Sequence, residues 1–169
     1  MTQAKVLVIM GSDSDFPVME SCFKLLNKFG IAYDAKICSA HRSPFQAAKL
    51  ASSAKAQGFG VIIAAAGLAA HLPGVLAAYT ILPVIGVPCK CGALQGVDAL
   101  YAIVQMPTGI PVATVAIDGA ANAAILSAQI LALSSELLSQ KLTAYKEELE
   151  ASVEQRNDRL AEKLASIGE

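Results

Sequence analysis

The chain has 169 residues, of which 54% are hydrophobic and only 16% charged, with a net charge of −1. It is long enough to bury a full core, and it lacks the cationic excess that nucleic acid or an anionic membrane surface would demand. Its apolar stretches are interrupted by Gly, Pro and polar residues before they could span a bilayer, so what remains is a globular protein with an unusually apolar surface, expected to be covered partly in an oligomer. The opening Met1-Thr2-Gln3-Ala4-Lys5 carries no secretory pattern and runs straight into a strand, so the chain is expected to be cytoplasmic.

Residues 5–10 are a short, continuous apolar run rich in β-branched side chains, the pattern of a strand covered on both faces in a parallel sheet. Gly11-Ser12-Asp13-Ser14-Asp15 breaks the run. Pro17 suits the first turn of a helix, with Asp15 as a candidate cap. Met19, Cys22, Phe23, Leu26 and Phe29 then recur at helical spacing as far as Gly30. A second strand is predicted at 33–38 and an alanine-rich helix at 44–57, stopping at Gly58. A third strand at 60–65 enters a loop at 66–74, and helix continues through Ala78. The fourth strand is predicted at 83–88, a helix at 93–104, the fifth strand at 112–117, and helices at 122–133 and 136–167.

Five alternations of strand and helix predict an α/β fold, a doubly wound parallel sheet with helices on both faces. The whole chain reads as one domain, residues 1–133 forming the α/β core and 134–169 a helical extension. Leu142, Tyr145, Leu149 and Val153 give the extension an apolar face, expected to pack on a neighbouring helix or subunit. Cys22, Cys38, Cys89 and Cys91 read as ordinary core or loop thiols. Cys89-Lys90-Cys91 is not the C-x-x-C of a redox site and has no cluster of ligands near it in sequence, so no metal is expected.

Three small-residue loops, at 11–15, 39–43 and 66–74, each follow a strand, so all three should open on the same edge of the sheet, where open α/β sheets bind ligands. Small residues let backbone N–H groups approach an anion, and each loop feeds the start of a helix. The second loop, Cys38-Ser39-Ala40-His41-Arg42-Ser43-Pro44, is the most informative. It holds one of only two histidines, a proton carrier near neutrality, beside the permanent cation of Arg42. The first loop lacks the Gly-Lys-Ser/Thr ending of a P-loop. One of its aspartates is better suited to sugar hydroxyls, with Ser12 and Ser14 as donors. Plainer readings stand beside these: Asp13 as a solvated carboxylate, Asp15 as a cap alone, and His71 as a helix-start histidine. A phosphorylated small molecule is the expected ligand.

Taken together, Met10-Gly11-Ser12-Asp13-Ser14-Asp15, Ser39-Ala40-His41-Arg42-Ser43-Pro44, Ala69-Ala70-His71-Leu72-Pro73-Gly74, the segment 82–88, the segment 103–112 and Ala120-Ala121-Asn122-Ala123-Ala124 closely resemble the PurE family of purine biosynthesis. The resemblance implies a flavodoxin-like three-layer α/β/α fold, a homo-octamer and no metal or organic cofactor. It also implies a reaction: N5-carboxyaminoimidazole ribonucleotide becomes 4-carboxy-5-aminoimidazole ribonucleotide by loss and recapture of carbon dioxide. By matching position, His41 looks like the acid–base. Ser12 and Asp15 look like contacts to the ribose and phosphate side, and Arg42 with Ser39 and Ser43 like the phosphate site. Gly11, Ser14, Gly67 and His71 complete the implied substrate-binding set. The arginine after His41 and the Ala-His-Leu-Pro-Gly loop resemble the mutase group, rather than the group that carboxylates aminoimidazole ribonucleotide directly. Leu68 and Ala65 depart from the family, which carries glycine at both positions. A non-catalytic or electron-transfer flavodoxin-like module is the alternative of another class, but the three loops lack the aromatic residues that stack a flavin.

Overall fold

The computed structural model describes residues 4–167; Met1–Gln3, read above as leading into the first strand, lie outside the described residues, as do 168 and 169. Among the described residues, five strands form one parallel sheet: β1 (Lys5–Met10), β2 (Tyr33–Ile37), β3 (Phe59–Ala66), β4 (Val84–Pro88) and β5 (Ala113–Thr114). Their order is β2-β1-β3-β4-β5, the flavodoxin-like arrangement, so the chain changes direction across the sheet between β1 and β3.

Helices α1 (Phe16–Phe29), α2 (Pro44–Ala54), α3 (Leu72–Ala78), α4 (Val97–Val104), α5 (Ala120–Ala132) and α6 (Glu136–Ala165) complete the fold. The two-residue period of a strand divides the central apolar runs between two cores. Val6, Val8 and Met10 of β1 meet Val61, Ile63 and Ala65 of β3 beneath α1 and α5. Leu7 and Ile9 join Ile62 and Ala64 beneath α2, α3 and α4. Each fully buried Leu, Ile or Val contributes about 1.5–3 kcal/mol relative to exposure, which makes the β1–β3–β4 centre a rigid platform. Among the described residues, no helix is long and apolar enough to cross a membrane.

Several boundaries differ from the sequence expectation for identifiable reasons. The fifth strand is two residues long rather than six. It lies at the edge, beside β4 alone, and beyond Thr114 only isolated bonds follow, from Val115 N–H to Gly86 C=O (3.1 Å) and Asp118 N–H to Pro88 C=O (2.8 Å). Helix α4 starts at Val97 and not at 93, because Gly92, Gln95 and Gly96 all have left-handed backbones (φ 63°, 52° and 88°) that a right-handed helix excludes. The second helix tightens into a 3-10 turn at Lys55–Gln57.

The apolar face of α6 is used along only part of its length. Leu138 is fully buried, Leu142 and Tyr145 pack against the α1/α5 core, and Leu149 and Val153 are half exposed. Lys141 Nζ donates to the Phe29 carbonyl at the end of α1 (2.7 Å), Tyr145 meets the Phe29 ring edge-on, and Lys28 pairs with Glu148. We predict that Leu138→Ala lowers stability by about 2–5 kcal/mol, because the cavity opens beneath the point where α6 turns onto the core. Urea denaturation would measure this, and a loss under about 0.5 kcal/mol would show that α6 is not fastened there.

Candidate active site at the switch point

The ladder continues to the edge of the sheet. Gly11 N–H donates to Ala65 C=O (2.9 Å), Cys38 N–H to Met10 C=O (2.8 Å), and Cys89 N–H to Ala66 C=O (2.9 Å). The loops after β1, β2, β3 and β4 therefore leave one rim from fixed points. Between them lies a cleft of about 480 Å³, lined by residues 11, 12, 14 and 15, 39–42, 66–69, 71 and 72, and by Cys91. That is the size of a site for one nucleotide-scale ligand, at the place where a doubly wound sheet binds it.

Nearly every residue expected from the sequence faces this cleft. Gly11, Ser12, Ser14, Asp15, Ser39, His41, Arg42, Gly67 and His71 line it. Ser43 does not. Its Oγ donates to Ser39 C=O (3.0 Å) and accepts from Ser39 N–H (3.1 Å), while Ser39 Oγ accepts from Arg42 N–H (3.2 Å). The two serines brace the turn that presents His41 and Arg42, so Ser43 is part of the support for the loop rather than of its surface. The Arg42 guanidinium has no carboxylate partner among the described residues, and it stands just before the start of α2. A fork-shaped cation beside a helix N-terminus suits a phosphate.

The two histidines meet. His41 Nε2 lies 2.8 Å from His71 Nδ1, with the rings nearly perpendicular. His41 follows β2 and His71 follows β3, so the contact bridges the end of β1 between them. A hydrogen bond between two imidazole nitrogens needs one donor and one acceptor, so it holds only while at least one ring is neutral. The pair can therefore carry a proton between positions within the cleft.

Asp15 takes a different role from the helix cap expected. Its carboxylate makes no cap bond to α1; instead it accepts from Ser12 N–H (3.0 Å), while Ser12 Oγ accepts from Ser14 N–H (3.3 Å). The loop is folded back on itself, leaving Asp15 only 8% exposed. Burial pushes its carboxyl above the usual range, opposed by the N–H groups of Ser12 and Gly11. Burial, reinforced by the Asp15 and Asp118 carboxylates, pushes the Cys89 thiol up to about 12, so it stays protonated at neutral pH.

The sequence reading missed Cys91 as a wall of the cleft. Its signal was positional only: it follows the end of β4 on the same rim. It touches the third loop closely, since a Cβ on Gly67 would overlap Cys91 Sγ.

A family model described as AIR carboxylase matches residues 5–152. The chain belongs to the AIR carboxylase family. Among relatives in that family, a Pyrococcus horikoshii protein named N5-carboxyaminoimidazole ribonucleotide mutase is 52% identical over 155 residues, covering 92% of this chain and 88% of its own. One of the same name from Thermotoga maritima is 51% identical over 156 residues, covering 92% and 91%. The crystal structure of Treponema denticola PurE superposes with a TM-score of 0.82 at 27% identity, covering 93% of this chain and 98% of that one. The AIR carboxylase match spans all four loops of the cleft and the first half of α6.

The raised pKa of Asp15 has a sign that can be tested. The folded state holds this proton more tightly than the unfolded chain, so its contribution is complete at low pH and is lost as pH rises through the folded pKa. An asparagine keeps an acceptor for Ser12 N–H without the buried charge. Asp15→Asn should therefore be at least as stable as the parent at about pH 7, with its advantage shrinking toward about pH 3. Denaturation at the two pH values measures it; a variant less stable at neutral pH would contradict the account.

Proposed function

We propose that this protein converts N5-carboxyaminoimidazole ribonucleotide reversibly into 4-carboxy-5-aminoimidazole ribonucleotide, a step of purine biosynthesis. The observation that carries this reading is that His41 and Arg42, adjacent on one braced turn, face the same cleft as Ser12, Asp15 and His71. Arg42 and the start of α2 hold the phosphate. Ser12, Ser14 and Asp15 meet the ribose, and the imidazole ring lies toward His41.

The reaction is a redox-neutral isomerisation. The bond between the exocyclic nitrogen and its carboxyl carbon breaks, the electron pair stays on nitrogen, and nitrogen takes a proton. Ring carbon 4 then attacks the released carbon dioxide and gives up its own proton. One proton in and one proton out balance the sequence, so a single group that works in both directions near neutrality serves both steps. His41 is that group, with His71 able to receive or return the proton across the 2.8 Å contact. No metal or organic cofactor enters the scheme.

The protein is proposed to act as a homo-octamer in the cytoplasm. Phe45, Ile81 and Leu133 are more than four-fifths exposed, a set of large apolar side chains suited to subunit contacts. The four free cysteines suit a reducing compartment.

His41→Asn should lower turnover of the N-carboxylated nucleotide by about 10²–10⁴-fold with the fold retained, the range expected for loss of a general acid–base. Activity within about threefold of the parent would remove His41 from that role. Arg42→Ala should weaken binding of the product nucleotide by about 1.5–3 kcal/mol, the worth of a charge-assisted contact, and titration calorimetry at fixed salt would read it. Unchanged affinity would place the phosphate elsewhere.

A further inference from the structure

The β4 side of the cleft is walled by two interlocked loops. Cys89 N–H donates to Ala66 C=O at their base (2.9 Å). Leu68, with a left-handed backbone (φ 53°), lies against Gly92, where a Cβ would come within 2.8 Å of Leu68 Cδ2. One residue earlier the relation is reversed. A Cβ on Gly67 would overlap Cys91 Sγ and stand 3.6 Å from Cys89 Cβ, so both cysteine side chains converge on the same glycine. The two thiols differ in access. Cys91 is partly exposed and lines the cleft, whereas Cys22, Cys38 and Cys89 are buried. Burial, helped by the facing Asp15 carboxylate, keeps Cys89 protonated, and its S–H in turn favours the charged form of Asp15. Its sulfur also lies 3.8 Å from Val87 C=O. Between Pro88 and Val97 the chain forms neither helix nor strand, and left-handed Gly92 (φ 63°) follows Cys91 directly. Cys91 can therefore turn toward Cys89 without breaking a regular element.

We propose that Cys89 and Cys91 are a peroxide-sensitive site: oxidation closes them into a reversible disulfide that reshapes the β4 wall and weakens nucleotide binding. The first step falls on Cys91, the thiol reached from the cleft. Its thiolate attacks one oxygen of hydrogen peroxide and the O–O bond breaks. Sulfenic acid forms, and the departing hydroxide takes up the thiol's proton as water. The Cys89 sulfur then attacks the sulfenyl sulfur, the S–O bond breaks, and the displaced hydroxyl leaves with the Cys89 proton as a second water. Two thiols are oxidised and one peroxide is reduced, which balances the step. A disulfide between residues two apart closes a small, strained ring, and strained bonds are the ones that free thiols readily reopen. In a reducing compartment such a bond is transient and reports oxidation. Closure takes the Cys91 sulfur from Gly67 and the Cys89 S–H from Asp15, and Gly67 and Asp15 both line the cleft. The effect on the nucleotide rests on the function proposed above; formation of the disulfide does not.

The test uses the full chain, hydrogen peroxide as the probe and catalase to end the exposure. Intact mass should show the loss of two hydrogens, and peptide mapping should place the bond between residues 89 and 91. Affinity for the C4-carboxylated nucleotide should fall about tenfold or more, and dithiothreitol should restore it. Each variant is compared with its own untreated form. Cys91→Ser should keep its affinity through the treatment. Cys89→Ser should stop at the Cys91 sulfenic acid, captured by a 1,3-dione. If its Tm shows that this variant folds poorly, capture of the same sulfenic acid in the parent after brief exposure reads that step. Four free thiols after treatment overturn the proposal, as does oxidation of Cys91 onward to sulfinic acid with Cys89 unchanged. A mapped disulfide with affinity within about twofold of the reduced protein overturns the effect on binding. A loss of affinity that persists in Cys91→Ser places the sensitive group elsewhere and overturns the assignment. A parent that neither binds nor converts the nucleotides before peroxide is added overturns the proposed function and the switch with it, a failure distinguishable because it precedes oxidation.

Discussion

The hydrogen bond between His41 and His71 depends on the strand order. The two histidines follow β2 and β3, which are not neighbours; β1 runs between them. Strands two places apart in a sheet are separated by about 10 Å, so the loops must lean toward each other over the end of β1 to bring the rings together. Only the reversal of winding between β1 and β3 opens that space. The burial of β1 on both faces holds its end still, and the cleft inherits this rigidity.

Around that contact the supports are local and specific. The Ser39–Ser43 bonds fix the turn that carries His41 and Arg42, and the bond from Ser12 N–H to the Asp15 carboxylate folds the first loop back on itself. The interlocked pairs Gly67–Cys91 and Leu68–Gly92 close the opposite wall. Two of these devices carry a cost, the buried carboxyl of Asp15 and the left-handed backbone of Leu68. Both lie at the cleft rather than in the core, where strain and uncomfortable charge are characteristically tolerated for function.

Much of this was legible in the residues. The continuous apolar runs of β1, β3 and β4 suited strands covered on both sides, and the alternation of elements pointed to a doubly wound parallel sheet. The small-residue loops identified the rim, and His41 and Arg42 stood out for chemical reasons. Other features leave no such mark. Gln95 has no side-chain signature of a positive φ, so only Gly92 and Gly96 marked the late start of α4, and the run 112–117, expected as a full strand, gave no sign that only Ala113–Thr114 would pair with β4. Ser43 looked like an anion contact because a serine's partners are set in three dimensions. The meeting of residues 41 and 71 could not be drawn from their spacing, since it depends on which strand lies between them.

The measurement that bears most directly on this account offers the purified protein two substrates separately. One is the N-carboxylated nucleotide without added bicarbonate; the other is the uncarboxylated nucleotide with abundant carbon dioxide. Rapid formation of the C4-carboxylated product from the first, with little from the second, is the predicted result. Efficient use of the second alone would contradict the carboxylate shift and assign direct carboxylation to the cleft instead.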